Sequence, residues 1–90
     1  MSREFVVWKV QALTKLNKAR MLTNDQNLSF KLEELIYRIV NLNVLDLWRW
    51  LRDLRILLDN VKEKDVRTIL KLLFPTDEEI THWFREYVEG

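Results

Sequence analysis

Apolar side chains recur along this chain at intervals of three and four residues, and a period of two persists nowhere. Intervals of three and four place side chains on one face of an α-helix, whereas a half-buried strand requires alternation. The 90 residues include one glycine and one proline, the two residues that most often interrupt regular structure. We therefore predict an all-α fold, a compact bundle of four to five amphipathic helices joined by short loops, in a single domain spanning 1–90.

Capping residues predict where the helices begin and end. Ser2 is a good N-cap for the first helix, and Pro75 stops the fourth. Three pairs have the spacing of a capping box: Thr23 with Gln26, Asn60 with Glu63, and Thr76 with Glu79. Asn43 with Asp46 opens the third helix in the same way. The first four predicted helices are 2–22, 23–41, 43–59 and 60–74, and the fifth begins at Thr76.

Each long helix has one face that is suited to the core. At about 100° per residue, the apolar positions of the third helix fall within an arc of about 140°. The predicted core residues of the third helix are Val44, Leu47, Trp50, Leu51, Leu54, Leu57, Leu58 and Val61. Those of the first are Phe5, Trp8, Ala12, Leu16 and Ala19, and those of the second are Leu28, Leu32, Leu35, Ile36, Ile39 and Leu42. Those of the fifth are Ile80, Trp83, Phe84, Tyr87 and Val88.

Three helices also carry apolar side chains on a second face. These are Val6, Val10, Leu13 and Met21 on the first, Phe30 and Tyr37 on the second, and Trp48 with Leu45 and Ile56 on the third. Either these second faces are extra core in a bundle whose central helices have neighbours on both sides, or they are exposed and form an interface. We favour the first interpretation for the second faces as a whole.

The segment WRWLRDLR (48–55) concentrates two tryptophans and three arginines. Arg49 and Asp53, and likewise Arg55 and Asp59, have the i,i+4 spacing of helix salt bridges. Aromatic and arginine side chains together are typical anchors of protein interfaces. The candidate partner-binding residues are Trp48, Arg52, Arg55, Phe30 and Tyr37, and they predict binding of a protein partner or of a second copy.

Charge is distributed unevenly along the chain and suggests an alternative partner. Residues 1–22 hold five basic side chains and one acidic, whereas 75–90 hold one basic and five acidic. Phosphate contacts require lysine and arginine. If nucleic acid is the partner, the binding residues are Lys9, Lys15, Lys18 and Arg20 on the first helix and Lys62, Lys64, Arg67 and Lys71 on the fourth.

Catalytic and metal-binding signals are few. The chain has no cysteine, its one histidine (His82) lies on the polar side of the fifth helix, and its one glycine is terminal, so thiolate chemistry, histidine-rich zinc sites and glycine-rich phosphate loops are excluded. Thr23, Asp25, Asn27, Ser29 and Glu34 have the spacing of positions 1, 3, 5, 7 and 12 of a calcium loop, but Leu28 replaces the required glycine and Lys31 stands at position 9. The acidic run Asp77, Glu78 and Glu79 is explained by capping. We expect no cofactor and no catalytic residues.

The sequence thus predicts a non-enzymatic interaction or accessory protein. A less favoured alternative is a calcium- or lipid-binding bundle, similar in architecture to saposins.

A cytoplasmic location is expected, since the chain has no cysteine, no apolar run of the ~20 residues that a membrane span needs, and no apolar N-terminal stretch. Scarce glycine and abundant charges of both signs suit a thermostable protein, although six asparagines oppose that interpretation.

Overall fold

The computed structural model describes residues 2–90 and confirms the all-α prediction for them. They form α1 (Arg3–Leu22), α2 (Gln26–Val40), α3 (Leu47–Asp59), α4 (Lys64–Lys71) and α5 (Asp77–Glu89), with a 3₁₀ turn (Val44–Asp46) directly before α3. No strand is present in this part of the chain. None of its helices combines the length and the apolar character that crossing a membrane requires.

Three of the predicted caps are present. The Ser2 hydroxyl accepts a hydrogen bond from the Phe5 N–H at 3.4 Å and begins α1. The Asn43 side chain accepts from two N–H groups of the 3₁₀ turn. At α5 the capping box is complete: the Glu79 N–H donates to the Thr76 hydroxyl at 3.1 Å, and the Thr76 N–H donates to the Glu79 carboxylate at 2.9 Å. Local sequence alone therefore defines these helix starts.

The other two predicted capping boxes are wrong, and Glu63 is the reason. Its carboxylate accepts hydrogen bonds from the Thr23 hydroxyl and, at 3.0 Å, from the Asn24 N–H. Thr23 therefore does not form the predicted capping box with Gln26, and Glu63 does not form the one with Asn60. Asp25 caps α2 instead, Asn60 ends α3, and α4 begins only at Lys64.

The long helix α1 lies between α2 and α4, and α3 packs against both of these helices. The 3₁₀ turn contacts α5. The 20 residues of α1 make a helix about 30 Å long, which contributes to the elongated shape of 43 × 20 × 18 Å; the radius of gyration is 13.2 Å. This radius is close to the ~12 Å expected for a compact chain of this length.

Four aromatic side chains join the helices at one end of the core. The ring centroid of Trp8 lies 5.6 Å from that of Trp50, 5.9 Å from that of Trp83 and 5.9 Å from that of Phe5. The Trp8 indole N–H donates to the Leu73 carbonyl at 2.8 Å. Residues from α1, α3, α5 and the segment after α4 thus meet in one cluster, whose rings are all largely or fully buried.

The core faces predicted for α1, α2 and α3 are confirmed. Every residue predicted for the α3 face is buried, and so are those of α1 and α2 apart from the partly buried Trp8 and Ile36. On α5 the prediction is half wrong, since Ile80 and Trp83 are buried but Phe84, Tyr87 and Val88 are exposed. α5 lies at the edge of the bundle, so its neighbours cover only one side of it.

The second apolar faces are not additional core, so the interpretation favoured above is wrong. Val6, Val10 and Met21 of α1 are exposed, and only Leu13 is partly covered. The second-face residues of α2 and α3 are exposed as well: Phe30, Tyr37, Leu45, Trp48 and Ile56. A five-helix bundle of this size has too few helices to give each one neighbours on two opposite sides.

Candidate interaction surface

An open cleft of about 260 Å³ lies between α3 and the segment that leads into α5. Leu51 and Ile80, both buried core residues, form its apolar floor. Trp48, Arg52, Arg55, Phe74, Pro75 and Asp77 complete its lining. We call this site the Trp48 cleft. It brings together three of the five residues predicted to bind a partner.

The spacing of Trp48, Arg52 and Arg55 on α3 explains why they share one face. Intervals of four and seven residues place side chains above one another on a helix. Trp48 is 58% exposed and the Arg52 side chain 67%. The Arg55 guanidinium lies over the Phe74 ring, 4.9 Å from its centroid. Arg55 therefore stacks across the cleft and is held in place by a cation–π contact.

The two salt bridges predicted within α3 are wrong. Asp53 accepts a hydrogen bond from Arg38 of α2 at 2.7 Å and lies 3.6 Å from Arg52. Arg55 is stacked on Phe74 rather than paired with Asp59. Because α2 packs beside α3, Arg38 is better placed than Arg49 to pair with Asp53. The spacing of residues within α3 does not predict this pairing.

The other two predicted partner-binding residues lie elsewhere. Phe30 and Tyr37 of α2 are 61% and 83% exposed, so both are accessible. Tyr37, however, lines a separate groove of about 400 Å³ with residues of α2, the 3₁₀ turn and α3. The five residues are therefore divided between different surfaces, and the Trp48 cleft brings three of them together.

Three of the eight residues predicted to bind nucleic acid make contacts within the bundle. The Lys9 ammonium donates to the Val40 and Leu42 carbonyls at 3.2 and 2.8 Å, at the end of α2, and burial lowers the pKa of Lys9. Arg67 donates to the Leu58 and Val61 carbonyls at the end of α3. Arg20 lies 3.4 Å from Glu33. Lys9 and Arg67 are thus engaged with carbonyls at helix ends, whereas the Arg20–Glu33 pair is partly exposed and contributes little stability.

The other five basic residues are more accessible for contacts with phosphates. Lys18, Lys62, Lys64 and Lys71 are exposed, and Lys15 is partly exposed. Because α1 packs against α4, the two basic helices are neighbours, as a shared phosphate-binding surface would require.

The predicted calcium register does not form a loop. Most of it lies within α2, which begins at Gln26, and Asp25 and Glu34 are separated along the helix axis by about 13 Å. Asp25 also accepts hydrogen bonds from the Asn27 and Leu28 N–H groups as the N-cap. Glu79 is likewise engaged in the α5 capping box.

One cluster of residue types that can ligate a metal was not predicted from the sequence. Within residues 2–90, the ligand atoms of Glu4, His82 and Glu86 lie within 4.8 Å of one another. The i,i+4 spacing of His82 and Glu86 is visible in the sequence, but Glu4 reaches them only through the packing of the chain. His82 is exposed, as predicted.

Comparison with known proteins gives no further guide: no protein-family model, curated protein or solved structure matches this chain.

Proposed function

We propose that this protein is a non-enzymatic interaction module that binds a partner protein in the Trp48 cleft. The observation that supports this most directly is the exposure of Trp48, which presents 58% of its surface beside two arginines. A large aromatic ring in water is unfavourable unless something covers it. Tryptophan and arginine are also the residues on which binding energy most often concentrates.

The lining of the cleft indicates what kind of partner segment fits. The floor of Leu51 and Ile80 suits an apolar side chain, and the exposed Arg52 guanidinium suits a carboxylate. Arg55 is already oriented by Phe74, so little side-chain entropy is lost when a ligand binds to it. The proposed ligand is therefore a protein segment that carries an apolar anchor next to an acidic residue.

Selection from a random peptide library on the folded protein tests this proposal. Enriched peptides should pair an apolar residue with Asp or Glu, and their binding can be measured by fluorescence anisotropy. Trp48→Ala should weaken binding at least tenfold, because hot-spot truncations cost about 2 kcal/mol or more. Arg52→Glu should weaken it by like-charge repulsion.

Tyr37→Ala is the matched control, since Tyr37 is an exposed aromatic residue of a different groove. It should leave peptide binding unchanged. Peptides that bind wild type and the Trp48→Ala variant equally well would refute the Trp48 cleft as the binding site. If sedimentation instead shows a dimer that only Trp48→Ala dissociates, the partner is a second copy of the chain.

A second candidate function is binding of nucleic acid by α1 and α4. The observation that favours it is the packing of these two basic helices against each other, with Lys18, Lys64 and Lys71 exposed. Three of the eight basic residues are engaged within the bundle, which reduces the charge available for phosphates. Protein binding in the Trp48 cleft is therefore the better-supported proposal.

A further inference from the structure

The two ends of the chain meet at a cluster of one imidazole and two carboxylates. Glu4 belongs to the first turn of α1, and His82 and Glu86 lie one turn apart on α5. Their ligand atoms all lie within 4.8 Å of one another. The His82 Nε2 atom is in direct contact with the Glu86 carboxylate.

Glu4 is held in this position by a buried neighbour. The Ser2 hydroxyl donates a hydrogen bond to Glu4 Oε2 at 3.0 Å. Ser2 is only 3% exposed and is fixed as the N-cap of α1. A hydrogen bond of this kind orients a metal-binding carboxylate and contributes to metal affinity.

A salt bridge between His82 and Glu86 would account for two of these side chains but not for the third. Both are partly exposed, and an exposed pair of this kind adds little stability. Glu4 brings a second carboxylate to the same point, where it repels Glu86 unless a cation lies between them, either a metal ion or the protonated imidazole of His82. A divalent ion would neutralise both carboxylates and accept the imidazole nitrogen as a third ligand.

We propose that Glu4, His82 and Glu86 bind a divalent transition-metal ion of the Zn²⁺ class. The imidazole nitrogen favours Zn²⁺ and related ions over Mg²⁺ and Ca²⁺, which prefer oxygen ligands alone. Three protein ligands leave the fourth position of a tetrahedral zinc site for water or a small molecule. Glu4 also lines a groove of about 360 Å³ with Trp8 and Trp83, which offers space for such a ligand.

Isothermal titration of the purified protein with ZnCl₂ tests this site. Wild type should bind one Zn²⁺ per chain. His82→Ala and Glu4→Gln should each weaken binding at least tenfold, because even the loss of an outer-shell partner costs about 10- to 100-fold in metal affinity. Glu4→Gln is the decisive variant, since a site formed by the His82–Glu86 pair alone would not depend on it.

Glu89→Gln is the matched control, because it removes the same charge from an exposed position of α5 outside the cluster. It should bind Zn²⁺ like wild type. Free Zn²⁺ about 100-fold above Kd should raise the melting temperature of wild type by on the order of 10 °C, and MgCl₂ should not.

All the substituted residues are at least partly exposed, and circular dichroism confirms whether each variant keeps its helices. Failure of wild type to bind Zn²⁺ would overturn the proposal. Equal binding by wild type and by the Glu4→Gln variant would overturn it as well. Neither result bears on the Trp48 cleft, which shares none of these residues.

Discussion

Replacing Trp50 with alanine removes the side chain that most clearly distinguishes the inner face of α3 from its outer face. Trp50 is fully buried, whereas Trp48, two residues earlier, is 58% exposed. The Trp50 indole N–H donates to the Leu35 carbonyl of α2 at 3.1 Å. Its ring meets that of Trp8 edge-on at 5.6 Å. One substitution therefore removes contacts of α3 with both α1 and α2.

The contacts of Trp50 determine how much folding stability the Trp50→Ala variant loses. A cavity left by Trp→Ala in a close-packed core costs about 3–5 kcal/mol. Loss of the hydrogen bond to Leu35 adds about 1 kcal/mol, for a total of about 4–6 kcal/mol. A domain of this length has a total stability of about 5–13 kcal/mol, so Trp50→Ala removes about a third of it or more. Trp48→Ala should cost about 1 kcal/mol or less, since its ring is mostly in water.

Urea denaturation followed by circular dichroism measures both variants. With an m-value of about 1–2 kcal/mol/M, the midpoint for Trp50→Ala should fall by at least about 2 M, and that for Trp48→Ala by less than about 1 M. Trp50→Phe is a useful intermediate, because it keeps a ring in the core but loses the hydrogen bond to Leu35. Equal and severe destabilisation by both alanine variants would refute the division of α3 into a buried and an exposed face.

Three further predictions concern α5, the basic helices and Lys9. Truncation after Pro75 should abolish cooperative unfolding in calorimetry, because it removes Trp83 from the aromatic cluster; an unchanged melting temperature would contradict this. If nucleic acid binds, reversing the charges of Lys15 and Lys18 should lower the salt slope of binding, measured by anisotropy, by about 2, and absence of wild-type binding at low salt would eliminate that candidate. Because burial lowers the pKa of Lys9 in the folded state, the unfolded chain binds more protons just below the ordinary lysine pKa. Lys9 therefore makes stability rise with pH in that alkaline range, and Lys9→Met should remove this rise in urea titrations at increasing pH.

The sequence by itself determined the helices and most of their inner faces. The apolar spacing that predicted the α3 face from Val44 to Val61 agrees with the burial of every one of those residues. The caps at Ser2 and Thr76 were also predictable. Both kinds of signal act within one or two turns of a helix, so they depend on neighbours in the chain and not on the rest of the fold.

Only the tertiary structure decided which faces stay exposed and which polar groups are already engaged. Periodicity shows that Trp48 and Tyr37 point away from their own core faces, but the number of neighbouring helices determines whether anything covers them. Glu63 does not form its predicted capping box, because the packing of the chain places its carboxylate within hydrogen-bond distance of Thr23 and Asn24. Lys9 and the Glu4 carboxylate likewise have partners that lie at least 30 residues away along the chain. Pairings over such distances depend on how whole helices pack, and no local pattern encodes them.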